Sequence, residues 1–313
     1  RRVLFRSLED LRRSVQKLML DSAVYASRDQ LVLTSGTQQA LYILSQIDFP
    51  NQKERILVEQ PTYHRINDLL LAQKLPYETI ERTPQGINLQ ELERIFQSGK
   101  IKFFYTIPRF HYPLGHSYSR QDKEEILRLA QLYNVYIVED DYLSDFDSRR
   151  ELTFHYLDNS QRVIYIKSFS TSLFPALRIT ALLLPPQIQT TFIAYKSAVD
   201  YDSNLIMQKA LSLYIDSLMF EKNRLALLQL QEEEAKKAQT LLERAQLPLD
   251  SYLTKDGVLL DLRTLSSVSA LKHSSLPFDF FEQSYLASCP YQYAKLHYDN
   301  LEENLEKLKD YLK

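Results

Sequence analysis

Short apolar runs rich in Val, Ile, Leu and Tyr alternate along this chain with longer stretches whose apolar residues recur at helical spacing. Residues 31–33, 55–58, 102–107, 135–138, 163–166 and 180–184 read as strands. Residues 4–26 place Leu8, Leu11, Val15, Leu18 and Leu20 near a helical repeat. Residues 37–47 and 120–133 read as helices too, the second with Ile126, Leu127, Leu129 and Ala130 as its apolar face. This alternation through the first two thirds of the chain predicts a parallel sheet covered on both faces. From 188 to 247 the pattern is helical, with residues 232–237 as a solvated charged face. The last quarter mixes a strand over 258–262 with a helix over 301–312. The expectation is an α/β fold in two parts, a large domain over 1–218 and a small α+β domain over 219–313.

The strand ends carry the candidate chemistry. The strand 163–166 runs into Ser168-Phe169-Ser170-Thr171 and ends on Pro175 and Arg178. Hydroxyls and turn amides can donate to phosphate oxygens, and an arginine can bind them with both arms of its fork. A buried strand, a loop and one surface salt bridge would use the same residues, so this stretch alone leaves both readings open. Thr34-Ser35-Gly36-Thr37-Gln38 is a second strand–turn–helix, in which Gly36 permits a sharp turn and Ser35 or Thr37 can cap the helix. Amides at a helix N-terminus attract phosphate. Glu139-Asp140-Asp141-Tyr142 closes a third strand and brings carboxylates to the edge where open α/β sheets bind ligands. Adjacent aspartates also occur at metal sites, but no histidine or further carboxylate stands at a matching spacing, so no metal is expected.

Composition narrows the classes. With 313 residues and 44% hydrophobic content the chain can bury a large core. A net charge of −2 gives no general argument for nucleic-acid or membrane binding. The single cysteine, Cys289, excludes an internal disulfide and suits a reducing cytoplasm. No apolar run approaches membrane-spanning length and no signal peptide is visible. The chain opens at Arg1 in an amphipathic pattern, which reads as a piece of something longer.

In this order, the motifs resemble those of fold-type I pyridoxal 5′-phosphate (PLP) proteins, and most closely the aminotransferase-like domain of the MocR branch of the GntR transcription regulators. The resemblance covers nearly the whole chain. It implies a large domain with a mostly parallel seven-stranded sheet flanked by helices, followed by a small C-terminal domain. It also implies that Gly36, Thr37, Gln38, Ser168, Ser170 and Arg178 hold the PLP phosphate and that Tyr63 packs near the ring. Asp140 would pair with the protonated pyridine nitrogen, and Tyr142 would lie near the 3′-oxygen. Tyr112 takes the place of an asparagine that bonds that oxygen in aminotransferases. Arg65 matches an arginine that holds an effector carboxylate in some members. Lys295-Leu296-His297-Tyr298 stands where the family reads Arg-Leu-Gly-Phe, so Lys295 keeps the charge but loses the planar fork.

One residue departs decisively. Thr171 stands at the position of the lysine that carries PLP as a Schiff base, and a hydroxyl cannot form an imine. Lys167 is nearby, but at a different backbone position and direction. The resemblance therefore implies an effector-sensing, non-catalytic domain that binds PLP, or another phosphate-bearing or amino-acid-like ligand, without a covalent bond. It further implies a homodimer and a DNA-binding winged helix upstream of Arg1. Two other readings stay open at this point: a PLP-dependent aminotransferase with an unusual or engineered lysine position, and a structural module that keeps the fold without PLP.

Overall fold

The computed structural model describes residues 8–20, 22–148, 151–200, 202–265, 268–287 and 291–312. Residues 4–7 of the expected first helix and Cys289 lie outside the described residues. The strands of the main sheet are β1 (Leu31–Thr34), β2 (Arg55–Gln60), β3 (Tyr77–Glu81), β4 (Ile101–Thr106), β5 (Tyr136–Asp140), β6 (Val163–Ser168) and β7 (Thr180–Leu183). They form a seven-stranded sheet in the order β1-β7-β6-β5-β4-β2-β3. Neighbours are parallel except at β7, which runs antiparallel to both β1 and β6. A second, antiparallel sheet has the order β10-β9-β8, from β8 (Ser251–Leu253), β9 (Gly257–Asp261) and β10 (Tyr293–His297). The helices are α1 (Glu9–Leu20), α2 (Thr37–Gln46), α3 (His64–Ala72), α4 (Leu89–Gln97), α5 (Arg120–Leu132), α6 (Phe154–Leu157), α7 (Pro186–Val199), α8 (Leu205–Asp216), α9 (Met219–Ala245), α10 (Ser269–Lys272) and α11 (Leu301–Tyr311).

This is the fold-type I architecture expected above, with three refinements. The helical stretch after residue 188 divides into α7, α8 and α9. Asn204 accepts from the amides of Ile206 and Met207 and so starts α8, while Leu218 adopts a left-handed φ of 62° where α9 begins. Strand β3 escaped the hydrophobic reading because it is an edge strand in which only Ile80 is buried. Helix α4 escaped it as well, although Leu92, Ile95 and Phe96 lie on one buried face behind an Asn88 cap.

The period-two alternation of the strands sorts side chains onto the two faces of the main sheet. Val32, Phe103, Tyr105, Tyr136, Val138, Ile164, Ile166 and Leu182 pack with α2, α3 and α7 on one face. Leu57, Phe104, Ile137 and Val163 pack with α4, α5 and α6 on the other, and Leu33, Tyr165, Ala181 and Leu183 with α1 and α8. The small sheet buries Val258, Leu260, Ala294 and Leu296 against α9 and α11. Its opposite face, with Leu259 and Tyr293, meets Leu114 and Phe281. Among the described residues, no helix is long and apolar enough to cross a membrane.

Gly115, in the loop after β4, marks how closely the small sheet approaches the large one. It holds a φ of +80°, and an added Cβ would lie 2.3 Å from the Thr254 side chain, just past β8. Gly115→Ala is therefore expected to destabilise the protein by roughly 1–3 kcal/mol, through overpacking and a left-handed backbone. Thermal unfolding followed by circular dichroism checks this, and an unchanged melting temperature would contradict the close approach.

Candidate ligand-binding site

At the carboxyl edge of the parallel strands lies a cavity of about 370 Å³ lined by Thr37, Gln38, Tyr63, His64, Ile107, Tyr112, Asp140, Tyr142, Ser168, Ser170, Thr171, Pro175 and Arg178. The loops that follow β2, β4, β5 and β6 all open onto it, as expected where strand ends meet helix N-termini. Strand parity decides who faces in. Asp140 shares the face of Tyr136 and Val138 on β5, and Ser168 shares that of Ile164 and Ile166 on β6.

The carboxylates at this edge differ in how completely they are satisfied. Glu139 accepts from the amides of Phe154 (2.9 Å) and His155 (2.9 Å). Asp141 takes Arg109 on both oxygens and Tyr165 on one. Glu59 accepts from Thr106 (2.9 Å), Tyr118 (2.6 Å) and the Ile107 amide (3.2 Å), with His111 3.3 Å away. Asp140 accepts a single bond, 2.8 Å from the Tyr105 hydroxyl to Oδ2, and its Oδ1 is buried without a partner. Burial pushes its carboxyl up to about 7, the Tyr105 hydroxyl pulls it down, and the neighbouring Asp141 adds to the rise. A buried acceptor left unpaired is costly, and a donor that reaches it relieves that cost.

Other residues of the lining carry groups that can hold an anion. Helix α2 starts at Gly36, with φ 89° and no side chain accepting from its first amides. Neither Ser35 nor Thr37 caps it, contrary to the sequence expectation. The Ser35 hydroxyl instead donates to Asp200 at 2.9 Å, and Thr37 meets Thr180 at 3.4 Å. The first-turn amides thus stay available for an anion. Gly36 does not line the cavity. It backs Arg178, and a Cβ there would sit 2.8 Å from the guanidinium carbon. Arg178 itself donates to the Ser35 carbonyl (3.2 Å) and to Gln38 Oε1 (3.1 Å), which leaves the rest of its fork open.

Rings close the cavity. Tyr63 and Tyr112 meet edge to face at 6.4 Å between centroids. Burial raises the phenols of both, to about 12 for Tyr112, so both stay protonated at neutral pH. His64 is held below its usual range by burial and by Arg65, so its ring is neutral. Tyr142 donates its hydroxyl to the Phe110 carbonyl at 3.1 Å.

Of the residues expected from sequence, Thr37, Gln38, Tyr63, Tyr112, Asp140, Tyr142, Ser168, Ser170, Thr171 and Arg178 come together here. Arg65 does not. It lies in a neighbouring groove with Gln38 and Tyr42 and pairs with Asp68 at 3.2 Å. Lys295 stands behind Tyr112, its amine 5.7 Å from that ring and 2.8 Å from Asp256. Lys167 projects to the opposite face of β6, where its amine binds Ser144 (2.7 Å) and Asp145 (2.5 Å). Among the described residues no lysine lines the cavity. The sequence reading missed His64, Ile107, Pro175 and the partner of Asp140. The parity of Tyr105 on β4, next to Val138 in register, was the available signal for that partner.

The family described as aminotransferase class I and II matches residues 5–250 of the chain. The chain is 44% identical over 220 residues, 70% of its length and 50% of the other's, to the uncharacterized HTH-type transcriptional regulator YcxD of Bacillus subtilis. It is 30% identical over 207 residues to the probable rhizopine catabolism regulatory protein MocR of Rhizobium meliloti, covering 65% of this chain and 41% of that protein. The chain thus spans about half the length of the curated relatives it matches. Among solved structures it is similar to a kynurenine aminotransferase from Pyrococcus horikoshii, with a TM-score of 0.84 and 23% identity over 98% of this chain and 81% of that one. At that identity the likeness speaks for the fold alone.

The raised Asp140 carboxyl has a consequence for stability. The folded protein keeps this proton up to about pH 7, whereas the unfolded chain releases it near the ordinary value of 3.8. Between those values the native state binds more protons, so its stability falls as pH rises and the loss is complete above pH 7. Asp140→Asn removes this cost and can still accept from Tyr105. The variant is expected to be more stable than the unaltered protein at about pH 8, by on the order of a few kcal/mol and so with a higher melting temperature, and to converge with it toward about pH 4. Melting curves across this range test it, and a gap that widens on acidification would reverse the sign.

Proposed function

The chain belongs to the aminotransferase class I and II family, and from that premise we propose that it is the effector-sensing, non-catalytic aminotransferase-like part of a MocR/GntR-type transcription regulator. In this reading it binds PLP or a related phosphate-bearing ligand without a covalent bond. The observation that carries the proposal is the buried, unpaired oxygen of Asp140, a residue that shares its cavity with groups able to hold an anion and with no lysine among the described residues. The named function of the regulators it resembles supports the same reading.

The residues present fit a phosphorylated pyridine. Asp140 would hold the ring nitrogen protonated, and Tyr63 and Tyr112 would wall the ring. Thr37, Gln38, Ser168, Ser170, Arg178 and the α2 amides would hold the phosphate, with Gly36 leaving room for the guanidinium. When bound, such a ring supplies an electron sink. Charge-assisted hydrogen bonds to a phosphate contribute roughly 1.5–3 kcal/mol each, so several of them hold it without covalent help. Thr171 takes the lysine position, and Lys167 is committed to Asp145 on the far face of β6. An amine is thus missing from the place where transamination would need it.

The effector sites follow from the same geometry. A carboxylate would compete with Asp256 for Lys295, and would meet an Arg65 that spends one guanidinium nitrogen on Asp68. We place the division between large and small domains at residue 218, and assign DNA contact to a winged helix outside this chain, in a cytoplasmic homodimer. Effector binding would act by favouring one arrangement of that dimer over another.

Spectra of the protein with PLP, before and after dialysis, test the proposal. Reversible binding is expected, with no borohydride-fixed pyridoxyl mass on the chain. Arg178→Gln should weaken the binding by at least about tenfold, or ~1.4 kcal/mol. A reduced adduct on a lysine beside the cavity would overturn the non-catalytic reading.

A further inference from the structure

The hydrogen bond made by Thr171 gives the cavity wall a polarity. Its Oγ1 donates to the Tyr142 carbonyl at 2.7 Å. A threonine hydroxyl has one proton and two lone pairs, so with the proton committed the oxygen can only accept. The Tyr142 hydroxyl is likewise committed to Phe110. Among the described residues, the cavity lining contains a single lysine-or-arginine cation, Arg178, and it belongs to the anion cradle.

In a phosphopyridoxyl ring the 4′ substituent lies para to the ring nitrogen and next to the carbon that bears the phosphate arm. A ring anchored at Asp140 and at Ser168, Ser170 and Arg178 therefore directs that substituent to the loop carrying those last three residues. Thr171 is the remaining hydroxyl of that loop on the cavity wall. A 4′-aldehyde oxygen would set acceptor against acceptor there. A 4′-ammonium would donate to Thr171, and would bring to the site a positive charge that no lysine of the lining provides.

We propose that the site selects the 4′-amine form, pyridoxamine 5′-phosphate, over the 4′-aldehyde, PLP. Thr171 is the residue that sets the preference, and the ligand carries the amine that the chain lacks. This rests on the phosphopyridoxyl reading of the cavity proposed above.

Calorimetric titration of the protein with pyridoxamine, pyridoxine and pyridoxal 5′-phosphates in amine-free buffer tests it, with mass spectrometry after borohydride to subtract aldehyde captured by surface lysines. The amine is expected to bind at least about tenfold tighter than the aldehyde. The alcohol, both donor and acceptor, should fall between them. Thr171→Val should compress the spread to within about threefold while retaining the alcohol, and Thr171→Ser should restore the order. An aldehyde that binds as tightly as the amine to the unaltered protein overturns the selectivity and leaves the phosphopyridoxyl reading standing. If none of the three binds, both fall together.

Discussion

A buried carboxylate with half of its hydrogen-bonding capacity unused is the constraint around which this molecule is arranged. Asp140 sits at the end of a central strand, 3% exposed, with Tyr105 on one oxygen and no partner among the described residues on the other. Removing a carboxylate from water is tolerable when its lone pairs are met. Glu59, Glu139 and Asp141 show how this chain does so, through arginine, tyrosine, threonine and backbone amides. Asp140 departs from that practice in the same cavity where a helix N-terminus lacks a side-chain cap. An unpaired acceptor and an uncapped helix start thus belong to residues of one cavity.

The surroundings keep that arrangement rigid. Arg109 ties Asp141 to Asp147 beneath the edge of the sheet. Glu59 gathers Thr106, Tyr118 and the Ile107 amide, close to where the segments bearing Tyr63 and Tyr112 enter the cavity. In both networks the carboxylate oxygens are met by protein donors, so they tie the loops together around buried charge. Asp140 is the cavity-lining residue with a buried, unpaired oxygen among the described residues, and the stability forgone there can be returned by binding.

The lysine question turns on a single residue of parity. Ser168 faces the cavity and Lys167, one residue earlier, faces the opposite side of the sheet. No rotamer of a side chain carries its amine through a sheet packed on both faces. Lys167, although close to this turn in the chain, therefore presents its amine to the opposite face of the sheet and not to the cavity. The same logic separates Lys295 from the cavity: Tyr112 stands between them, and Asp256 already occupies its charge.

What the sequence settled by itself was periodic or local. Alternation and helical spacing identified the strands and helices that build the main sheet, and the turns at 34–38, 139–142 and 168–178 marked its chemical edge. These features survive translation into three dimensions because their range is a few residues. The edge strand β3, with one buried apolar residue, was too faint for that reading. Pairings between distant side chains were faint or silent: strand parity hinted at Tyr105 with Asp140, but nothing marked Asp256 with Lys295, or Ser35 with Asp200 rather than with the helix it precedes. Tertiary packing decided these, because which partner a polar group meets depends on which strands become neighbours and on which face each residue lands.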